Sequence, residues 1–563
     1  MLLLSVLVAL VSLALGGHYS GFWYLPTRRD AQRWECHPFL PKSLLVDYPP
    51  PVTHPLIVNA GLNLDHHLSR TFANKPIDSL SVAVVSAHGP LYQANFGKVR
   101  GNDSGSSEET TSETIYRVAS VTKLLPVYEA LMLERKGALS WDDPVQKYIP
   151  DFTYRTDGFA PDAVNEPSAA PITLRHCATH LSGLGRDWPP GTVANFPKSL
   201  YGAGPPPTNG LPFPSHDDVL RATEKYKLTS PPGKYPAYSN TGTSLLSRSL
   251  VIANKRLNKE SADSPNTITE LFAKDIFEPL GMNGSGFSVT PQNAKMIAVP
   301  SLAPEVTDQD LLDAMNPAAG QYSSLSDLIK FTQTLLKPSS FLTEQQLDQW
   351  FTPVFAFEED DWTEMGMMWE IVKIKDSYGR PRRIFWKLGA MAGHHAALAI
   401  HPGTSIGMIV LLAGHFPDAA QIAYFIFSVL QPAIDNLFTV TATQLYSGTF
   451  TDPASNSTAM VSVKRGTLWL DRYVLDGTDV LGLFGVKQGG RMALRSSGRK
   501  DEFRLDTGIP GYNGMVHMGC YPYWNGQDLW GVKNGAAVNV VVFTEGQEGK
   551  RLWVPSTNIT LSR

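Results

Sequence analysis

The sequence predicts an α+β fold: an antiparallel sheet flanked by helices, with a helical subdomain and a separate C-terminal all-β domain. Three observations carry this. Strand-like runs stand near residues 80–97 and again at 367–412. Helical periodicity fills most of the chain between them, so two distant segments are expected to close one sheet. From about residue 443 the pattern changes to short strands separated by turns, which reads as a small barrel or sandwich.

The totals are those of an ordinary globular protein with a sizeable core: 563 residues, 43% hydrophobic and 18% charged. Lys and Arg number 48 against 52 Asp and Glu, a net charge of −4. That balance argues against a nucleic-acid binder and against a polybasic membrane anchor. Residues 1–17, MLLLSVLVALVSLALGG, read as a secretory signal peptide: an apolar run too short to span a bilayer, with a small-residue exit. No later stretch reads as long and apolar enough to cross a membrane. Asn102, Asn283, Asn456 and Asn558 each open an Asn-x-Ser/Thr sequon, as expected of a secreted glycoprotein. The three cysteines, Cys36, Cys177 and Cys520, are too few for a disulfide scaffold. They permit one bridge, expected between Cys36 and Cys520, because Cys177 lies in a run that reads as buried. The pairs His66-His67 and His394-His395 are adjacent and lack metal-ligand spacing, so no metal and no cofactor is expected.

Residues 18–75 form an irregular, Pro- and aromatic-rich extension followed by an amphipathic helix at 59–74, with Leu62, Leu64, Leu68 and Phe72 on its apolar face. Leu80–Val85 and Leu91–Gly97 flank the turn Ala87-His88-Gly89-Pro90, a hairpin. Residues 100–114 are a polar loop. Tyr116–Gly137 reads as the central helix with Ser120 at its start. Lys123 then lies one turn on, within reach of the serine hydroxyl. The first-turn N–H groups would face an anion forming there. Alone, this is also what an N-cap serine and a surface lysine give. The acidic pair Asp142-Asp143 reads as caps and a turn. Ile172–Leu184 reads as a helix that stops at Gly183, and the Pro- and Gly-rich loop 185–215 is of a length that often lines a site. A further helix starts near Thr241, helices continue to about 282 and again at 324–337, and residues 419–437 form an apolar helix.

Taken together, these segments resemble the serine β-lactamase and penicillin-binding-protein family, in its class C-like esterase and carboxypeptidase branch. The resemblance rests on Ser120-Val121-Thr122-Lys123, Leu139–Pro150, Ile172–Leu184, Pro232-Gly233 with Tyr238-Ser239-Asn240, Phe277–Met282 and Ser324–Leu328, in family order. It implies a catalytic domain over about 76–440, followed by the all-β domain 441–563. It implies acyl transfer through an ester on Ser120, with Lys123 and Tyr238 as the two candidate bases. Asn240 would position Lys123 and bind the acyl side chain, and Lys387 would add charge. Gly389 and Ala390 would complete the substrate strand, with the N–H groups of Ser120 and Ala390 holding the oxyanion. The family's third motif is here Lys387-Leu388-Gly389. The hydroxyl that helps hold a substrate carboxylate is replaced by Leu388, which points to a neutral acyl substrate. No Gly-x-Ser-x-Gly elbow supports a Ser-His-Asp triad. His176 and His180 read as structural, and one of His394 and His395 as either packing or lining the pocket. The expected protein is a secreted monomeric serine hydrolase, an esterase or amidase, acting on a small-molecule acyl substrate, with no nucleic-acid partner and no membrane partner after signal cleavage. An acyltransferase of specialised metabolism and a catalytically inactive binding module are the alternatives.

Overall fold

The computed structural model describes residues 36–101, 108–156, 170–508, 519–547 and 549–563. The signal peptide reading and Asn102 fall outside them. The described residues divide into two compact units, Leu45–Ile434 and a second one made of those after Ile434 together with those before Leu45.

The larger unit is built on an eight-stranded antiparallel sheet. Helix α1 (Pro55–Asn74) starts on a proline at its first turn and buries Ile57, Ala60, Leu64 and Leu68. Leu62, expected on that face, is exposed, because 3.6-residue periodicity puts it on the opposite side from Leu64. Strands β1 (Ile77–Ser86) and β2 (Gly89–Gly97) form the predicted hairpin. After β3 (Ile115–Arg117), a single 3₁₀ turn over Ala119–Lys123 precedes helix α2 (Leu124–Arg135). The expected continuous helix from Tyr116 is thus interrupted. Ala119 sits at φ 45°, left-handed backbone that no α-helix admits. Helix α3 covers only Leu174–Ala178, shorter than the 172–184 expected, because His180 also turns left-handed at φ 57°.

Helices α4 (His216–Lys225) and α5 (Asn240–Leu257) follow, the latter capped by the Ser239 side chain accepting from the Gly242 N–H. Next come α6 (Leu312–Ala319), the short β4 (Tyr322–Ser324) paired with β3, and α7 (Leu325–Leu336). The remaining sheet strands are β5 (Phe355–Ala356), β6 (Thr363–Met365), β7 (Glu370–Lys375), β8 (Pro381–Met391), β9 (His394–His401) and β10 (Ile406–Gly414). Their order is β2-β1-β10-β9-β8-β7-β6-β5, so N- and C-terminal segments do meet at β1 and β10. All nine residues of β10 are buried, which explains a continuous apolar run in place of alternation.

Helix α8 (Ala419–Tyr446) is longer than the 419–437 expected and, against the expectation that no later stretch would be, is long and apolar enough by length and composition to cross a membrane. Half of its most apolar window is buried.

In the second unit, β11 (Gly448–Asp452), β12 (Ser457–Lys464), β13 (Thr467–Leu475), β14 (Met492–Ser496), β15 (Glu502–Leu505), β16 (Val540–Gly546), β17 (Gly549–Val554) and β18 (Ile559–Leu561) pair in sequence order. Thr451 and Ser562 exchange backbone hydrogen bonds of 2.7 and 3.0 Å, bringing the last strand back to the first and closing a barrel. Within the stretch read as short strands and turns, Val480–Leu483 instead forms a short helix, with Asp479 as its N-cap. Cys36 is disulfide-bonded to Cys520 within this unit, while Cys177 is free and buried in the larger one. Asn283, Asn456 and Asn558 are exposed.

Candidate active site

Ser120 stands in the 3₁₀ turn between β3 and α2, not at the first turn of an α-helix as expected. The left-handed Ala119 turns the chain there. On one side, strand β8 approaches this backbone very closely. A Cβ on Gly389 would lie 2.1 Å from the Val118 carbonyl oxygen and 3.2 Å from the Ser120 nitrogen. Only glycine permits that approach.

The Ser120 hydroxyl is engaged twice. Lys123 Nζ donates to Ser120 Oγ at 3.0 Å, and the Tyr238 hydroxyl bonds the same oxygen at 2.7 Å. Lys123 is fully buried and also donates to the Ala318 carbonyl at 2.6 Å, at the end of α6. Burial, and then Lys387, lower its pKa, against the opposing pull of Tyr238. Burial pushes the Tyr238 phenol up, but Lys123 and Lys387 pull harder the other way and hold it at about 8. Three cations face the ring: Arg186 at 4.7 Å, Lys123 at 4.8 Å and Lys387 at 5.1 Å from its centre. His180 stacks on it at 4.6 Å. Burial, then Lys123, Lys387 and Arg186, drive the His180 pKa well below its usual value, so the imidazole is neutral. Its Nδ1 accepts from the Ser239 N–H at 3.1 Å, tying α3 to the Tyr238 segment.

Lys387 is buried and donates to Glu370 Oε1 at 2.6 Å and to the Leu388 carbonyl at 3.0 Å. Glu370 Oε2 also accepts from the Leu388 N–H at 3.3 Å. Burial opposes the Lys387 charge, but Glu370 and Tyr238 outweigh it and raise its pKa. Asn240 does not bond Lys123 as expected. Its Nδ2 donates to Asp187 Oδ1 at 2.6 Å, and its Oδ1 has no hydrogen-bond partner.

Ser120 opens into a cavity of about 600 Å³. Trp188, Phe213, Leu311, Met315 and Met391 make much of its wall, with Arg186, Asp187, Asn240 and His395 as polar members. Ala390 lines it, whereas Lys123, Tyr238, Lys387 and Gly389 stand behind the lining residues. The loop 185–215 contributes at both ends, from Arg186 to Pro189 and from Pro205 to Pro214. The part of the wall around Val306 and Gln309 is pinned by Arg117, whose guanidinium donates to the carbonyls of Thr307, Gln309 and Gly320 and stacks 4.2 Å from the Tyr322 ring centre. Of the histidine pair, His395 lines the cavity and His394 is fully buried, its pKa brought to about 3 by burial, Arg117 and His395.

The site thus brings Ser120, Lys123, Tyr238, Asn240 and Ala390 together. The sequence reading missed Asp187, Arg186 and Glu370, and assigned His180 only a structural role. The one usable signal was the length of the loop 185–215. Among the described residues, no group of three His, Cys, Asp or Glu could hold a metal ion. A half-buried serine hydroxyl held between an ammonium and a phenol of lowered pKa can act as a nucleophile.

The Beta-lactamase family model matches residues 64–431. Beta-lactamase-like protein str6 of Strobilurus tenacellus is 38% identical over 313 residues, 53% of this chain and 99% of that protein. The D-alanyl-D-alanine-carboxypeptidase/endopeptidase AmpH of Escherichia coli K12 is 25% identical over 373 residues, 64% of this chain and 86% of that protein. Acyltransferase calJ of Penicillium decumbens is 40% identical over 95 residues, 16% of this chain and 23% of that protein. The fold matches the crystal structure of a beta-lactamase/D-alanine carboxypeptidase from Yersinia pestis, with TM-score 0.51 and 20% identity over 67% of this chain and 99% of that one.

Proposed function

The chain belongs to the Beta-lactamase family, which gives it hydrolase and acyltransferase relatives, and on that premise we propose a secreted serine hydrolase that cleaves a neutral ester or amide through an acyl-enzyme on Ser120. The observation that carries this reading is the double hydrogen bond at Ser120 Oγ, from Lys123 and Tyr238.

Tyr238 is the base, since its pKa of about 8 leaves a useful phenolate fraction near neutral pH. Ser120 Oγ attacks the carbonyl carbon and its proton passes to Tyr238. Lys123 holds both oxygens and balances the phenolate charge. The N–H groups of Ser120 and Ala390 receive the oxyanion, in the geometry that the close β8 approach at Gly389 supports. As the tetrahedral intermediate collapses, Tyr238 returns the proton to the leaving oxygen or nitrogen. Water then attacks the acyl-enzyme ester and Tyr238 takes its proton; as the second tetrahedral intermediate collapses, Tyr238 gives that proton to Ser120 Oγ, releasing the acid and restoring the free serine. Two features support a neutral substrate: Leu388 offers no hydroxyl, and the Lys387 ammonium is already paired with Glu370. Export is supported by the leader-like sequence at 1–17, the exposed sequon asparagines and the disulfide. The apolar cavity wall favours a second reading, in which an alcohol replaces water as acceptor.

Fluorophosphonate labelling followed by peptide mass mapping tests the proposal. The adduct is expected on Ser120, and Ser120→Ala is expected to lose ester turnover and labelling together. Absence of an adduct on the folded protein, with turnover intact in Ser120→Ala, overturns it.

A further inference from the structure

We propose that the tip of the loop 185–215 docks on a lipid surface: Phe196, Leu200 and Tyr201 enter the lipid, and Ser120 is served with apolar acyl esters dissolved in it. The docking stands on the loop itself. Its use in catalysis rests on the hydrolase reading above and adds a substrate class to it.

Between Asp187 and His216 the chain carries a single charged residue, Lys198, in a stretch dense in Pro, Gly and apolar side chains. Three of the large apolar side chains are turned outward. Phe196 and Leu200 are each 68% exposed, and Tyr201 is 86% exposed. Scattered singly such residues are ordinary, but these three stand together within residues 196–201. The tip is also preformed. The Phe196 N–H donates to the Val193 carbonyl at 3.1 Å, those of Lys198 and Ser199 to the Asn195 carbonyl at 2.8 and 3.1 Å, and that of Ala203 to the Leu200 carbonyl at 3.0 Å. Below it the two arms of the loop meet at Gly191 and Gly202, where a Cβ on either would collide with the carbonyl oxygen of Gly202 or Thr192. The apolar side chains are therefore presented by a backbone already ordered, which lowers the entropy cost of docking. The same loop builds the cavity into which Ser120 opens. It leaves the wall after Pro189 and rejoins it at Pro205, so the exposed tip is the segment that rises between two pieces of that wall. Leu302 lines the cavity too and is itself exposed.

Size and charge select the occupant. The three side chains expose roughly 400 Å², about half of the roughly 800 Å² that each partner buries in a stable protein interface. Insertion into lipid needs no complementary shape and sets no such threshold, and aromatic and leucine side chains beside a basic residue are the composition of interfacial anchors. Lys198 is exposed, and residues 188–215 carry no carboxylate to repel an anionic headgroup. The expectation of no membrane partner rested on whole-chain charge and on spanning length, and neither senses a single loop. An apolar chain leaving the lipid then meets walls of its own chemistry, Trp188, Phe213, Leu311 and Met315.

Flotation of the full chain with vesicles tests the docking, using phosphatidylcholine alone and phosphatidylcholine with a third of the lipid replaced by phosphatidylglycerol. Wild-type protein is expected to float with both, more strongly with the anionic vesicles. Phe196→Ser/Leu200→Ser/Tyr201→Ser is expected to bind both about tenfold or more weakly. Lys198→Glu is expected to bind the anionic vesicles about fivefold or more weakly and the neutral ones as wild type does. Tyr201→Ser alone, expected to bind about threefold more weakly, decides the matter if the triple variant does not fold. Turnover is read in parallel on monomeric p-nitrophenyl acetate and on p-nitrophenyl palmitate carried in the vesicles. The triple variant should keep the first rate within about twofold and lose the second about tenfold. Wild-type protein that floats with neither vesicle overturns the proposal, and so does a triple variant that floats as wild type does. A wild-type dimer that the triple substitution dissolves, without flotation, assigns the tip to a second copy of the chain and overturns it as well. Tip-dependent flotation with vesicle-borne ester turned over at the wild-type rate in the triple variant rejects the substrate class. Tip-dependent flotation with no turnover of either ester and no fluorophosphonate adduct on Ser120 upholds the docking and rejects the hydrolase reading.

Discussion

Replacing Lys387 by methionine tests whether the phenol of Tyr238 is the working base. The substitution keeps the volume and removes the charge. The ammonium lies 5.1 Å from the Tyr238 ring centre. At an effective dielectric of about 20, a unit charge at about that distance acts with about 3 kcal/mol, equivalent to roughly two pH units. Glu370, 2.6 Å from the same ammonium, offsets part of that field. The net expectation is an upward shift of about one to two units from the value of about 8 that the two lysines hold against burial. The direction follows from the chemistry: a base works deprotonated, so kcat/KM falls as pH drops below its pKa. The assay is the pH profile of kcat/KM on an uncharged ester, which reports the free enzyme. Wild type should level off above pH about 8. Lys387→Met should be roughly tenfold or more slower at pH 7 and recover towards pH 10. Glu370→Gln, which leaves the ammonium unopposed, should move the inflexion the other way. An inflexion that stays in place in Lys387→Met, with a loss equal at every pH, refutes the electrostatic argument.

Gly389→Ala should lower kcat by about two orders of magnitude with a smaller effect on KM, since its Cβ meets backbone at 2.1 Å and forces β8 away from Ser120; steady-state kinetics beside a thermal melt check it. Glu129, in α2, is fully buried with neither carboxyl oxygen hydrogen-bonded, and burial, then Asp275, raise its pKa well above the usual glutamate range. The folded state therefore holds that proton more tightly than the unfolded chain, and this contribution to stability is present below the ordinary glutamate pKa and lost as pH rises through the raised one. Glu129→Gln removes the dependence, so it should be more stable than wild type at pH 8 by about 1 kcal/mol or more and lose that advantage towards pH 4, as chemical denaturation at the two pH values will show.

The parts of the site legible in the sequence are those whose geometry is local. Ser120 and Lys123 are three residues apart, and either an α- or a 3₁₀-turn brings them together. Tyr238 and Asn240 stand two apart at a helix start that Ser239 caps. The α+β architecture was legible because β10 carries an uninterrupted apolar run and β1 a β-branched one over Leu80–Val85 broken only by Ser81. What stayed hidden depends on pairing at a distance. Glu370 reaches Lys387 because β7 lies beside β8 with Glu370 opposite Trp386, a register no motif encodes. Asp187 reaches Asn240 across 53 positions from a loop without periodicity. The helix boundary at Tyr116 was misread for another reason. Alanine carries no signal for left-handed backbone, and Ala119 adopts it because β8 and α6 hold the surrounding chain.

The bridge between Cys36 and Cys520 has a consequence for the order of events as the chain is made. The two sulfurs are 484 positions apart, and the segment ending at Leu44 belongs to the same unit as residues 435–563. The first cysteine to be synthesised must therefore wait for the last. The barrel itself cannot close until Ile559–Leu561 returns to Gly448–Asp452. Meanwhile Leu45–Ile434 has all its own strands and helices and can fold as a unit. Folding of that unit first would hold Cys177, the one competing thiol, at 0% exposure before Cys520 is made. Cys36 would then be the only thiol left to meet Cys520, the pair that the folded protein contains.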